Sequence, residues 1–321
     1  MAFALGSFDA GNGTFPGLVL EEQEVIDASA VAATVRDLFD DWHAARQELE
    51  ELAASDAVRI PLEHLRTLAP IEPRQIVQAG GNYHEHVLEA IVAARVEQGD
   101  DVDDAKAAAS AALRRRAHEG EPYLYQGSVG AVCGPYDDII LPPRGEHHDW
   151  EIELAAVIGP EKEIAGYVIA NDVSTRDLFF RPDMAEDLGG NLLADWLRSK
   201  MAPTFLPLGP WIVPAEFISD PQDLRITLEL NGKQMQDEPT SDMIFSVERL
   251  RAYAAEVLRL FPGDLLLTGS PASTGARYDR WLREGDVIEA GITGLGRQRN
   301  RIRQARTEQA CGHISDRRDQ G

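Results

Sequence analysis

Apolar and polar positions alternate along much of the chain, and the period changes at a few identifiable places. FALGSF and GLVLEEQEVIDAS keep enough period-two alternation to predict strands, because successive side chains of a strand point to opposite faces. VAATVRDLFDDWHAARQELEELAAS then switches to helical spacing through Val35, Leu38, Phe39, Trp42 and Leu49. A proline-rich stretch from Pro61 through Pro70 and Pro73 reads as a loop and a boundary. IVQAGG predicts a short strand and NYHEHVLEAIVAARVEQ a helix. A polar break at GDDVDD leads to a second helix, DDAKAAASAALRRRAHEG. From Pro122 onward the pattern turns to short strands: DDIILP, EIELAAVIG, GYVIANDV, GPWIVP, GDLLLTGSP and GDVIEAGITGLG. LRITLELNGKQMQ predicts a hairpin with Asn231-Gly232 in its turn. SVERLRAYAAEVLRLFPGD predicts a helix from an N-cap at Ser246 to a stop at Pro262-Gly263. The residues after Asn300 are polar and are expected to fray.

This order is not a regular alternation of strand and helix, which disfavours a doubly wound parallel sheet. An α+β fold is expected, with a mixed β-rich core and peripheral helices. The expected division is a small β-plus-helix domain at 1–70 and a main domain at 71–302. The main domain carries a helical insertion at about 90–121, and a polar tail occupies 303–321.

Composition removes several partners. The formal net charge of −23 argues against nucleic acid, whose phosphates need a basic surface, and against an anionic membrane. No stretch approaches the roughly 20 apolar residues of a membrane-spanning helix. Cys133 and Cys311 lie far apart with no CxxC pattern, so neither a disulfide framework nor a thiolate zinc site is expected, and a cytoplasmic setting fits.

The chemistry centres on HHDWEIELAAVIG. Read as a strand, it places Glu151 and Glu153 on one face of an apolar segment, where two carboxylates repel unless a cation joins them. Asp172, at the end of YVIANDVSTRDL, supplies a third carboxylate. Three such groups suit a hard divalent cation, although a wet outer face with a capping Asp172 would give the same spacing. On the helix of GGNYHEHVLEA, His86 and Glu89 are three residues apart on one face. That spacing suits a carboxylate-oriented general base or an ordinary surface pair. His84 and His86 would point about 200° apart on a helix and are not a zinc pair. Lys200 could neutralise a substrate carboxylate, and the small-residue loop LTGSPASTG could present N–H groups to an anion.

In this order, GNYHEH, WEIELAAVIG, YVIANDVSTRDL, SKMAPTFLPLGPWIV, LTGSPASTG and GITGLGRQRN strongly resemble the fumarylacetoacetate hydrolase superfamily, from about Ile76 to Asn300. The resemblance implies a mixed β-roll or barrel core and a homodimer. It places metal ligands on Glu151, Glu153 and Asp172, with Mg²⁺ or Mn²⁺ as the cation. It puts the catalytic groups on His86, Glu89 and Lys200, and substrate contacts on Tyr83, Thr204, Gly269 and Ser270. The implied substrate is a small 2-oxo or 2,4-dioxo acid, an acylpyruvate or a sugar-derived diketo acid. Water activated by His86 would attack C4, and cleavage of C3–C4 would leave a pyruvate-type enolate near Lys200. Hydration of a 2-oxo-4-enoate, decarboxylation, keto–enol isomerisation, or a non-catalytic metal-binding dimer are the alternatives. Two departures stand out. The connection between Gly159 and Tyr167 is short, with only nineteen positions from Glu153 to Asp172, which raises the expectation of either a displaced Asp172 or a loop absent from the sequence. The helical stretch at 90–121 is long, and is expected to cover the site and select a larger or more polar substrate.

Overall fold

The computed structural model describes residues 2–11, 13–185 and 193–306. The expected tail therefore lies outside the described residues from 307 on, and Cys311 with it. An antiparallel five-stranded sheet opens the chain, in the spatial order Arg59–Pro61, Glu24–Asp27, Thr14–Leu20, Ala4–Asp9, Arg66–Thr67. Part of the proline-rich stretch thus joins this sheet as two short edge strands. The single helix expected over residues 31–55 divides at Asp41. Val35–Leu38 and a 3-10 turn precede it, and Asp41 caps the helix Trp42–Ala54 by accepting the Ala44 N–H at 3.3 Å. A carboxylate in that position satisfies a helix-start donor, and so starts a new helix where the apolar spacing alone reads straight through.

The six-stranded central sheet runs Val213–Pro214, Ile164–Asn171, Ile152–Ile158, Leu265–Leu267, Ile76–Gly80, Tyr123–Gly127. It is mixed, because Leu265–Leu267 pairs in parallel with Ile76–Gly80 while the other neighbours are antiparallel. Every residue of Ile152–Ile158 is buried, which accounts for its near-continuous apolar run. A second mixed five-stranded sheet runs Lys233–Pro239, Arg225–Leu230, Val287–Ile292, Arg297–Gln304, Ile139–Leu141. Its hairpin turns at Asn231-Gly232, both with positive φ, as the Asn-Gly pair predicts. The helix Val247–Val257 begins at Ser246 but ends at Leu258, before Pro262-Gly263. Strand Arg297–Gln304 takes in residues 301–304 of the segment expected to fray, and it buries alternate residues.

One continuous apolar core joins the N-terminal sheet to the central sheet, and backbone bonds of 2.8 Å in each direction link Leu5 with Ile212. The mixed sheets, small antiparallel N-terminal sheet and peripheral helices fit the expected α+β class. The helical pair, His84–Glu97 and Val102–Glu119, stands apart with its own small cluster of Leu88, Ala109 and Leu113. Among the described residues no helix is long and apolar enough to cross a membrane.

Candidate active site

The central hairpin builds the acidic centre. Ile152–Ile158 pairs with Ile164–Asn171 so that Ile152 faces Asn171 and Glu153 faces Ala170. One step further on, the Asp172 N–H donates to the Glu151 carbonyl at 2.9 Å. The short connection is a tight turn closed by Gly159 N–H to the Glu163 carbonyl at 2.9 Å. Nineteen positions are therefore enough, and Asp172 is delivered beside Glu151 with no displacement. One carboxylate oxygen from each of Glu151, Glu153 and Asp172 lies within 4.8 Å of the others, and all three residues are buried.

Two cations reach into this cluster. Lys200 ends the short helix Trp196–Lys200, started by Asp195, which accepts the Arg198 N–H at 3.1 Å. Its Nζ donates to Asp172 Oδ2 at 2.6 Å, to Ser174 Oγ at 2.7 Å and to Glu151, which uses all three ammonium protons. Arg176 bridges Asp149 Oδ2 through Nε at 2.8 Å and Glu151 Oε1 through Nη2 at 2.7 Å. Asp149 is fully buried and also accepts the N–H groups of Trp150, Gly275 and Ala276. Four carboxylates thus face two cations. The result appears in their acidities. Burial raises Glu151, but Arg176 and then Lys200 outweigh it and hold the carboxyl well below the usual range. Burial, then Asp172 and Glu151, push Glu153 well above that range. Burial draws Lys200 down, yet Asp172 and Glu151 more than reverse it.

With all four carboxylates ionised the centre is two positive charges short, a difference that a divalent cation such as Mg²⁺ or Mn²⁺ would balance. Glu151, Glu153 and Asp172 are the residues able to hold it.

His86 lies on the first helix of the pair, half-buried. Its Nδ1 is 3.1 Å from the Pro271 carbonyl, so the proton belongs on Nδ1 and Nε2 keeps its lone pair. Burial lowers its pKa below the ordinary 6.5, which favours the neutral ring. Glu89 is placed differently from the expected dyad: it pairs with Arg277, and no His86–Glu89 hydrogen bond is present among the described residues. The other expected contacts also have local partners. The Gly269 N–H donates to Glu153 at 2.7 Å, so the anion this loop holds is the protein's own. Gly269 has φ +90°, and a Cβ there would stand 3.2 Å from the Ala79 carbonyl oxygen and from the Asn82 Cβ. Ser270 is buried, with Oγ directed at the Pro271 carbonyl at 3.3 Å. The Thr204 hydroxyl accepts the Ile140 N–H at 2.8 Å, which makes its role in this structure a backbone one. The ring of Tyr83 is fully buried at the start of the helix, and burial raises its hydroxyl's pKa.

Several site residues had no part in the sequence reading. Beyond Asp149, Ser174 and Arg176, the Tyr125 hydroxyl donates to Asp172 Oδ2 at 3.3 Å. The Tyr125 ring stacks on Trp196 at 4.8 Å between centroids, and Trp196 Nε1 donates to the Tyr123 hydroxyl at 2.9 Å. Phe179 meets Trp196 edge-on and carries both Arg176 and Lys200 over its face, at 5.2 and 5.6 Å. Arg176 and Phe179 also line a cleft of about 850 Å³ that contains His86 and is walled by the helical pair.

The family model described as fumarylacetoacetate (FAA) hydrolase C-terminal matches residues 75–303. The 2,4-didehydro-3-deoxy-L-rhamnonate hydrolase of Sphingomonas sp. (strain SKA58) is 37% identical over 195 residues, 57% of this chain and 65% of that protein. The mitochondrial oxaloacetate tautomerase FAHD2A of Bos taurus is 30% identical over 312 residues, 91% of this chain and 89% of that protein. Among solved structures, a probable 2-hydroxyhepta-2,4-diene-1,7-dioate isomerase from Mycobacterium abscessus superposes with a TM-score of 0.70 at 27% identity. It covers 95% of this chain and 100% of its own.

Proposed function

We propose, from the premise that this chain belongs to the fumarylacetoacetate hydrolase family, that it is a divalent-metal-dependent enzyme cleaving a carbon–carbon bond of a 2,4-dioxo acid. The observation that carries the reading is a half-buried imidazole, tied through Nδ1 to the Pro271 carbonyl, beside a buried centre in which four carboxylates face two cations. A metal held by Glu151, Glu153 and Asp172 would supply Lewis-acid polarisation of the substrate's oxygens. The chain's own residues do the rest. His86 Nε2 takes a proton from water, which attacks the C4 carbonyl, and the C3–C4 electron pair leaves with the pyruvate fragment. The Lys200 ammonium, fixed by three acceptors, is a preorganised positive charge facing the negative charge that develops there. Phe179 and Trp196 shield this charge from water.

Keto–enol isomerisation is the second reading, favoured by the tautomerase relative that spans nearly the whole chain. It needs only proton transfer at His86 and no attack by water. One assay separates the two. After EDTA treatment, acetylpyruvate and oxaloacetate are followed by enol absorbance with and without added Mg²⁺ or Mn²⁺. Metal-dependent loss with acetate and pyruvate formed from acetylpyruvate supports cleavage. Absorbance loss from both substrates with no cleavage products rejects it in favour of isomerisation.

A further inference from the structure

The cleft is far larger than a three-carbon keto-acid fragment requires; cavities of its size hold drug-sized ligands. Its extra length is apolar. On the first helix Leu88, Val92 and Val96 recur every four residues and so form one stripe, running outward from His86. Burial declines along it: Leu88 is buried, Val92 half-buried, and Val96 is 38% exposed. Across the turn, Val102 opens the second helix at 55% exposed and faces the same cleft. At the inner end Phe179 connects this wall to Lys200 and Arg176. The cleft's charges are largely committed or of mixed sign. Arg277 pairs with Glu89, Arg176 with Asp149 and Glu151, and Glu85 with His84, while Lys106 has no ion-pair partner among the described residues.

We propose that this stripe is the subsite for the substrate's R group, and that the R group is an unbranched apolar acyl chain of several carbons. The inference rests on the reading that His86 and the acidic centre hold the keto-acid end. Of the two expectations from the sequence, a larger or a more polar substrate, it takes the larger, because the helical pair turns aliphatic side chains into the cleft. A second carboxylate at the far end of the chain would lose hydration against the aliphatic stripe, a cost that Lys106 is the lining cation left to offset.

The test is binding by the full chain in Mg²⁺ buffer, measured by calorimetry with pyruvate, 2-oxohexanoate, 2-oxooctanoate and 2-oxooctanedioate. Kd is expected to fall with chain length, by up to about fourfold per methylene, the free energy of burying one such group. The diacid should bind more weakly than 2-oxooctanoate. In the double variant Val96→Asp, Val102→Asp, with circular dichroism unchanged, the dependence on chain length should flatten. A Kd independent of chain length, a diacid that binds more tightly, or a double variant that keeps the full slope would each overturn the proposal. Failure of the catalytic reading looks different: the Kd series still tightens, but neither acetylpyruvate nor octanoylpyruvate is cleaved.

Discussion

The acidic centre and the helical pair sit side by side yet are built on opposite principles. The centre hangs from two fully paired strands inside the main apolar core, and each cation in it is held by at least two acceptors. The helical pair packs on a satellite cluster of three buried residues, with large aliphatic side chains left open to the cleft. Strand register holds carboxylates to a fraction of an ångström, as metal and proton chemistry demand. A loosely seated helix pair can change its lining without disturbing that register, which suits selection among R groups.

The contrast is broken most severely at Glu151. Glu151→Ala removes a proposed metal ligand and takes one buried carboxylate partner from each of Lys200 and Arg176. Turnover should fall on the order of a thousandfold, and stability by about 3 kcal/mol, the cost of breaking a buried ion pair. Thermal unfolding beside a steady-state assay checks both, and unchanged stability would contradict the network described here. His86→Ala comes next, with a loss of kcat of about a hundredfold but little change in Tm, because the ring is anchored by one carbonyl only.

The pH profile sharpens the comparison at smaller amplitude. Burial lowers the His86 pKa from its ordinary 6.5, with the Glu151 charge opposing and Arg176 reinforcing the shift. The neutral base therefore survives to lower pH, and activity is lost only as pH falls through that lowered value. The acid limb of kcat/KM should lie below 6.5. A limb at or above 6.5 would mean that the cluster's negative charge outweighs burial.

Much of this was legible in the chain, and the gaps have physical causes. The Asn231-Gly232 hairpin and the strand bearing Glu151 and Glu153 follow from local spacing, and so they were readable. Asp149 was also readable, since it continues the same period-two series two residues earlier. Strand Arg297–Gln304 was hidden because two of its inward residues are amides. Gln298 donates to the carbonyls of Ile169, Pro207 and Gly209, and Asn300 to that of Asp137, so polar side chains fill core positions. The pairing of Glu89 with Arg277 could not be foreseen, because it joins residues 188 positions apart. The i,i+3 spacing to His86 was local and therefore misleading about where the carboxylate points.

The smallest expected effect bears directly on how the helical pair is seated. Arg116, near the end of the second helix, donates to the Gly81 carbonyl at 2.6 Å and lies 5.5 Å from the centre of the Phe245 ring. It thereby pins the start of the first helix, three residues before His84, to the end of the second. A half-buried contact of this kind contributes about 1 kcal/mol. Because the pair has its own cluster, Arg116→Ala should release that energy as local opening and leave global unfolding nearly untouched. Amide exchange over 84–119 should accelerate about fivefold, while Tm moves by less than about 2 °C. Equal acceleration in Ile152–Ile158 would show that the two regions open as one unit, and the division of labour between a fixed centre and an adjustable wall would then fail.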